Sequence, residues 1–307
     1  MTFALLLFVL FVQLLPLLFT QDTQNKKRID ADLAKTATTE GPPLLESGQP
    51  TKPNPITSLH ELKVVTYNIR WRSGDELKEL IKLFRNDSEI GNASIIALQE
   101  VDRQKKRTGN TNTIKLLAEE LGLYYAWAAP PGAKPGQEEE TGVALLSIYP
   151  LSDVQRIVLP HEGPGHRRRV AIGACIKVDG VELRIYSAHA ETRVSMEKKL
   201  DQLNTLLDDL KNHAPKSPAI IMGDFNTWQP DAAPKTIKLF SEAGFTTPFD
   251  SQKTFSQKVL FVPVDFRLDW IWLRGLEVKS HGIDREVDVS DHWPLWTNVK
   301  LASVAKN

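Results

Sequence analysis

Two short polar strings carry most of the chemistry in this chain: Gly223-Asp224-Phe225-Asn226 and Ser290-Asp291-His292. The first follows the apolar run Ile220-Ile221-Met222, and the second precedes the apolar stretch from Trp293 to Trp296. Carboxylate, amide and imidazole groups set so tightly against β-like runs make poor core material. A buried polar group without a partner costs on the order of 2–7 kcal/mol, so such a cluster calls for a metal, a substrate or mutual hydrogen bonds. Four further positions share the pattern. Asn68 follows Val64-Val65-Thr66-Tyr67, Glu100 follows the run Ile95 to Leu98, His189 follows Leu183-Arg184-Ile185-Tyr186, and Asp269 opens Trp270-Ile271-Trp272-Leu273. Strand ends gathered on one rim are where sandwich and α/β enzymes assemble sites.

Each residue taken singly has a plain structural reading. Asn68 suits a turn, Glu100 a solvated surface, and His189 a hydrogen-bonded core. Taken together, several carboxylates with two histidines and two amides suit a hard cation. Oxygen donors with few nitrogens favour Mg²⁺, with Mn²⁺ or Ca²⁺ as alternatives, over Zn²⁺. No His/Cys pair stands at zinc spacing.

The elements that must hold these groups alternate between helix and strand and then turn to consecutive strands. Leu77, Leu80, Ile81 and Phe84 fall at i, i+3, i+4, i+7 and predict an amphipathic helix. Ile114, Leu117 and Leu121 predict a second, stopped by Gly122. Leu200, Leu203, Leu207 and Leu210 predict the longest. Strands are expected at Gly142 to Ile148, Val154 to Leu159, Arg169 to Val178, Leu183 to Ser187, Leu268 to Leu273 and Leu295 to Leu301. Asp179-Gly180 is a hairpin turn signal. Consecutive strands broken by a few helices argue for two sheets packed face to face with helices outside.

Composition narrows the function. Lys+Arg and Asp+Glu number 38 each, so the chain lacks the basic surplus of a protein that grips duplex nucleic acid without specificity. Cys175 stands alone in an apolar run, which excludes an intramolecular disulfide and reads as a small buried hydrophobe. Residues 1–20 read as an apolar signal peptide or membrane anchor, carried by the Leu/Phe/Val run over residues 3–20. Lys26-Lys27-Arg28 follow that run and nothing basic precedes it. The positive-inside rule would then keep the domain cytoplasmic, unless basic residues stand upstream of this Met. Export, with or without a retained anchor, is the expectation, and so is a secreted or extracytoplasmic location. Residues 21–60, rich in Thr, Pro, Asp, Lys and Gly, read as a flexible linker, and residues 61–302 as the folded domain.

With these residues in place, a resemblance is specific. Thr66-Tyr67-Asn68-Ile69, Leu98-Gln99-Glu100-Val101-Asp102, Ser187-Ala188-His189, Gly223-Asp224-Phe225-Asn226, Leu268-Asp269-Trp270-Ile271 and Ser290-Asp291-His292 occur in the order typical of one superfamily. The chain resembles the endonuclease/exonuclease/phosphatase (DNase I-like) superfamily over residues 62–301. The resemblance implies an α+β, four-layer α/β/β/α sandwich of two mainly antiparallel sheets, Mg²⁺ dependence and phosphoester hydrolysis. It implies metal ligands at Glu100, with Asn68 and Asp291 helping to hold the metal or its waters. It implies that Asp224 orients or deprotonates the attacking water, and that Asn226 fixes that water or a phosphate oxygen. It implies that His292, held by Asp269, contacts the phosphate, and that His189 assists the leaving group. Arg169 falls near a phosphate-binding arginine of the family, with Arg167 and Arg168 as neighbours that leave the choice open. Arg107-Thr108-Gly109-Asn110 resembles a subgroup of uncharacterised members and implies no firm chemistry.

The turn-rich stretch His161 to His166 is expected to be an exposed loop, and Pro130 to Glu140 part of the rim. Trp270, Trp272, Trp293 and Trp296 are expected to pack in the core rather than stack on bases. The expected partner is a phosphodiester substrate, either nucleic acid or phospholipid, with membrane attachment through residues 3–20 and no obligate protein partner. The alternative is a non-catalytic module that keeps the fold and binds a phosphate ligand or a membrane.

Overall fold

β-Branched and aromatic runs dominate the strands, and the i, i+3, i+4 apolar faces dominate the helices. In a computed structural model the described residues are 43–56, 61–132, 140–249, 252–259 and 262–302. The first half comprises β1 (Leu45–Gly48), β2 (Leu62–Asn68), α1 (Gly74–Asn86), β3 (Ile95–Asp102), α2 (Thr113–Leu121), β4 (Tyr124–Ala128), β5 (Thr141–Ser147), β6 (Ser152–Val158) and β7 (Val170–Val178). The second comprises β8 (Val181–His189), α3 (Met196–His213), β9 (Ala219–Asp224), α4 (Ala232–Glu242), β10 (Phe255–Val259), β11 (Val262–Phe266), β12 (Asp269–Arg274), β13 (Leu276–Ile283) and β14 (Leu295–Leu301).

One sheet runs β1-β4-β5-β3-β2-β14-β13 and the other β12-β9-β8-β7-β6, with β10-β11 a separate hairpin. Among the described residues, only two pairs in the large sheets are parallel, β2–β3 in the first and β8–β9 in the second. Val64, Ile95, Ala97 and Leu145 from one sheet meet Ile172, Ile185, Ile220 and Met222 from the other in a wholly apolar middle layer. The outer face of the first sheet packs on α1 and α2, and that of the second on α3 and α4. This is the expected α/β/β/α sandwich. Truncating a buried Ile or Leu of such a layer to Ala costs ~2–5 kcal/mol, because the gap cannot collapse.

Local signals work as read. Leu77, Leu80, Ile81 and Phe84 are the buried face of α1. Asn112 accepts a hydrogen bond from the Lys115 N–H at the start of α2, and Gly122 ends that helix in the left-handed region. Asp179 (φ 49°) and Gly180 (φ 85°) form the tight turn between β7 and β8. Trp270 and Trp272 are buried and stacked, 5.1 Å between ring centroids, and Trp293 and Trp296 are partly buried.

One expectation needs correcting. The linker read over residues 21–60 ends early, and the compact unit begins at Pro43. Leu45–Gly48 adds an antiparallel edge strand to β4, with Leu45 opposite Ala128. Arg103, Asn112 and Tyr125 all donate to the Glu46 carboxylate, at 2.9–3.2 Å. Those partners lie 57 or more residues away, so local composition cannot reveal them. The expected leader over residues 1–20 and the rest of the linker to residue 42 lie outside the described residues. Residues 133–139 of the expected rim do too. Among the described residues, no helix is long and apolar enough to cross a membrane.

Candidate active site

The two parallel pairs bring four strand C-termini to one rim, and buried polar groups lock the sheets together there. Gln99 on β3 donates to the Ser187 hydroxyl on β8 (3.1 Å), which donates in turn to the Leu98 carbonyl (3.0 Å). Asn68 at the end of β2 donates to Asp224 Oδ2 at the end of β9 (3.0 Å). His189 and Asp224 face each other across the β8–β9 pair. A bulge interrupts β3 between Gln99 and Val101, and the extra residue is Glu100, at φ 56°. Bulges of this kind re-aim one side chain while the ladder continues.

Glu100 is held from both oxygens. Asn68 Nδ2 lies 3.4 Å from Oε1, and the Trp71 indole N–H donates to Oε2 at 2.6 Å. Asn68 Oδ1 accepts from the Arg70 N–H (3.1 Å), and the Ser290 hydroxyl donates to the Asn68 carbonyl (2.8 Å). Asp291 sits beside them, its Oδ2 2.9 Å from Arg70 Nη1, with a quarter of its side chain exposed.

The second half of the site is buried. Asp269 Oδ2 accepts from the Thr254 hydroxyl (2.7 Å) and shares a hydrogen with His292 Nδ1 (2.8 Å). His292 Nε2 then lies 3.8 Å and His189 Nε2 3.4 Å from Asp224 Oδ2. The Phe255 ring meets the His292 ring edge-on at 4.8 Å and shields it. Burial pushes the Asp224 carboxyl up to about 7, against the pull of protonated His292. Burial alone would lower His292, but the Asp269 and Asp224 carboxylates overcome it and hold the imidazole at about 10. His189 goes the other way, driven well below 6.5 by burial and then by Arg169.

The remaining residues singled out by sequence occupy defined places. The Asn226 N–H donates to Asp224 Oδ1 (2.9 Å), while its side chain turns to the Ala190 carbonyl (3.1 Å). Arg169 is mostly buried and lies 3.2 Å from His189 Nδ1, whereas Arg167 is half exposed and Arg168 pairs with Glu162. Of the three arginines, Arg169 is the one brought against a residue of the site. His161 and His166 pair with Asp201 and Glu162 on an exposed loop and do not join it. Arg107 packs over the Trp71 ring at 4.2 Å and forks onto Asp102.

Sequence reasoning missed Gln99, Ser187, Trp71, Thr254 and Lys199. Gln99 and Ser187 stand inside the motifs, with no role assigned to either from the sequence. Trp71 and Lys199 carry no local signal, since only the fold brings them to Glu100 and Asn226.

Lys199 is a buried cation on α3 whose Nζ donates to the Asn226 carbonyl, with Gln229 Oε1 3.5 Å away. Burial lowers it from 10.5 to about 8, with the nearby Asp224 and Glu191 carboxylates opposing. Between those pH values the unfolded chain holds a proton that the folded chain has lost, so this group makes stability rise with pH. The rise is on the order of 3 kcal/mol. Urea unfolding of the wild type and of Lys199→Met, each at the two ends of that range, isolates it from other titrations. An identical pH response in both proteins would remove the assignment.

The carboxylates and imidazole of the rim include a group with the donor set of a metal site. Asp224, Asp269 and His292 each place one donor atom within 4.8 Å of the others, a buried group that could hold a metal ion, and neither Glu100 nor Asp291 belongs to it. Asp269 Oδ1 is a buried carboxylate oxygen without a hydrogen-bond partner among the described residues, a lone pair available to an ion or a water. Soft sulfur donors are absent from this set.

Comparison with known proteins places the fold. A UPF0294 protein of Vibrio campbellii is 31% identical over 124 residues, which are 40% of this chain and 42% of that one. The chain therefore matches under half the length of that relative. The fold is shared with an endonuclease/exonuclease/phosphatase of Beutenbergia cavernae, at TM-score 0.61 and 19% identity over 80% of this chain and 72% of that one. It is shared equally with D. rerio TDP2 complexed with a single-strand DNA product, at TM-score 0.61 and 14% identity over 78% and 99%. The family model matches residues 65–292, a span that takes in every polar string on the rim. The chain belongs to the Endonuclease/Exonuclease/phosphatase family.

Proposed function

We propose that this protein is a metal-dependent phosphodiesterase that attacks phosphorus in line with a carboxylate-positioned water. One observation carries the reading. A continuous chain of polar contacts runs from Glu100 through Asn68 and Asp224 to His292 and Asp269, across the ends of both sheets. Glu100 and Asp291 would hold a divalent cation such as Mg²⁺, with Asn68 fixing Glu100 and Asp224 in place. Bound there, the cation supplies charge neutralisation at a phosphate oxygen and at the leaving group. Asp224, poised at about 7 by burial, orients the water and takes its proton. His292 donates from Nε2 to a phosphate oxygen, because Asp269 occupies Nδ1. Arg169 adds a fixed positive charge on the same side.

The substrate class is a phosphodiester of nucleic acid or phospholipid. The single-strand DNA product in D. rerio TDP2 supports nucleic acid as the first class to test, and the even charge balance speaks against unspecific duplex binding. The test is parallel turnover of single-stranded DNA, supercoiled plasmid, sphingomyelin and a phosphoinositide with Mg²⁺ at stated salt. EDTA is expected to abolish turnover and excess Mg²⁺ to restore it. Activity indifferent to chelator would overturn the metal assignment. Tight binding without turnover across the whole panel would favour the binding-module alternative.

The apolar run over residues 3–20 supports an extracytoplasmic place of action. Sequencing the N-terminus of protein made in a secreting host tests it: a cytosolic product that retains Met1 counts against export.

A further inference from the structure

Glu191 lies two residues past His189, and its carboxylate is wholly buried. Four donors converge on it. Arg167 reaches both oxygens, Nε to Oε2 at 2.9 Å and Nη2 to Oε1 at 2.5 Å. Arg169 Nε donates to Oε2 (3.1 Å), and the Arg193 N–H donates to Oε1 (3.1 Å). Gly163 seals the cluster, since a Cβ there would stand 2.5 Å from Glu191 Cδ. The Glu191 N–H is tied to Gln202 on α3 (2.9 Å). None of the roles assigned above uses this carboxylate.

The far side of Arg169 shows what the cluster does. Its Nη1 lies 3.2 Å from His189 Nδ1. A guanidinium has only donors, so Nδ1 must offer its lone pair and the ring proton must sit on Nε2. Nε2 points towards Asp224 Oδ2 at 3.4 Å. Asp224 pulls the proton the same way, but that contact exceeds the usual ~2.7–3.2 Å of a hydrogen bond, and Oδ2 already accepts from Asn68.

We propose that Glu191 is a positioning residue: by clamping Arg169 it locks His189 as the Nε2–H tautomer, so this imidazole presents a donor and no lone pair to the site. The catalytic consequence rests on the phosphodiesterase reading. A fixed Nε2–H can hold a phosphate or leaving-group oxygen, and it cannot compete with Asp224 for the proton of the attacking water.

Long-range ¹H–¹⁵N correlation on the full chain labelled at histidine reads the tautomer directly, with His189 assigned by its loss in His189→Gln. Without metal or substrate, the wild type is expected to show a bare Nδ1 and a protonated Nε2. Glu191→Gln removes half of the fork, and Arg169→Met removes the donor while leaving Glu191 in place. In both, an Nδ1–H population should appear. In Glu191→Gln, kcat on bis-p-nitrophenyl phosphate should fall about 10–100-fold, with KM moved far less, because the group acts on the reacting geometry and not on capture. A proton on Nδ1 in the wild type overturns the proposal, as does the Nε2–H form persisting in Arg169→Met. If Glu191→Gln fails to fold, the wild type and Arg169→Met still decide. The spectra need no turnover. An inactive protein with the expected tautomers would sink the hydrolase reading alone, and an active one with the wrong tautomer would sink only this proposal.

Discussion

Asp224→Asn is expected to lower turnover of a phosphodiester by about 10²–10⁴-fold while costing the folded state far less. Asp224 is buried and lies against Asn68, the Asn226 N–H, His189 and His292. An amide cannot take a proton from water, and half of it presents N–H groups to neighbours that are themselves donors. Stability should fall far less than activity, because burial penalises the charge that the substitution removes and so offsets part of the lost hydrogen bonding. His292→Ala should cripple turnover to a similar degree. The double variant should be little worse than either single one, since residues that act as a unit do not add. Kinetics with Mg²⁺ beside thermal melts of the same preparations check all three statements. Full activity in Asp224→Asn would exclude it as the water-positioning base.

Gly223→Ala is expected to damage the fold itself. Gly223 has φ 140°, and a Cβ there would lie 2.0 Å from the Ala188 carbonyl oxygen, its partner in the parallel β8–β9 pair. The strands must part at the residue pair next to His189 and Asp224. A backbone clash in a sheet centre belongs to the exceptional class of substitutions costing more than ~4 kcal/mol, or roughly 8–16 °C in Tm for a domain of this size. Gly180 is the control. Its φ is 85°, but nothing lies within 4 Å of a Cβ there, so Gly180→Ala meets only the local strain of about 1 kcal/mol. Equal melting temperatures for the two variants would show that the close approach at Gly223 does not constrain the fold.

The motifs were legible in sequence because each is local: a β-branched run, a break, and a polar residue with no business in a core. Asn68, Glu100, His189, Asp224, Asp269 and His292 all end at the rim or next to it. The direction in which each polar group faces was not legible. Asn68 turns its N–H₂ to the carboxylates and Asn226 its N–H₂ to the Ala190 carbonyl, which no spacing rule specifies. Edge strands were the other blind spot. β13 has an exposed, polar face at Lys279-Ser280-His281 and no continuous apolar run, so its pairing with β14 shows only in the folded sheet.

By itself, the order of residues determined the alternation of strands and helices, the tight turn at Asp179-Gly180, and the pairing of oxygen-rich strings with strand ends. Those are short-range matters of side-chain period, backbone freedom and burial penalty. The tertiary structure alone decided that Arg169 rather than Arg167 or Arg168 reaches the site, that Trp71 grips Glu100, and that Leu45–Gly48 joins a sheet. Each of those outcomes depends on partners 20 or more residues distant, and charge complementarity at that range exists only once two sheets have closed on a common core.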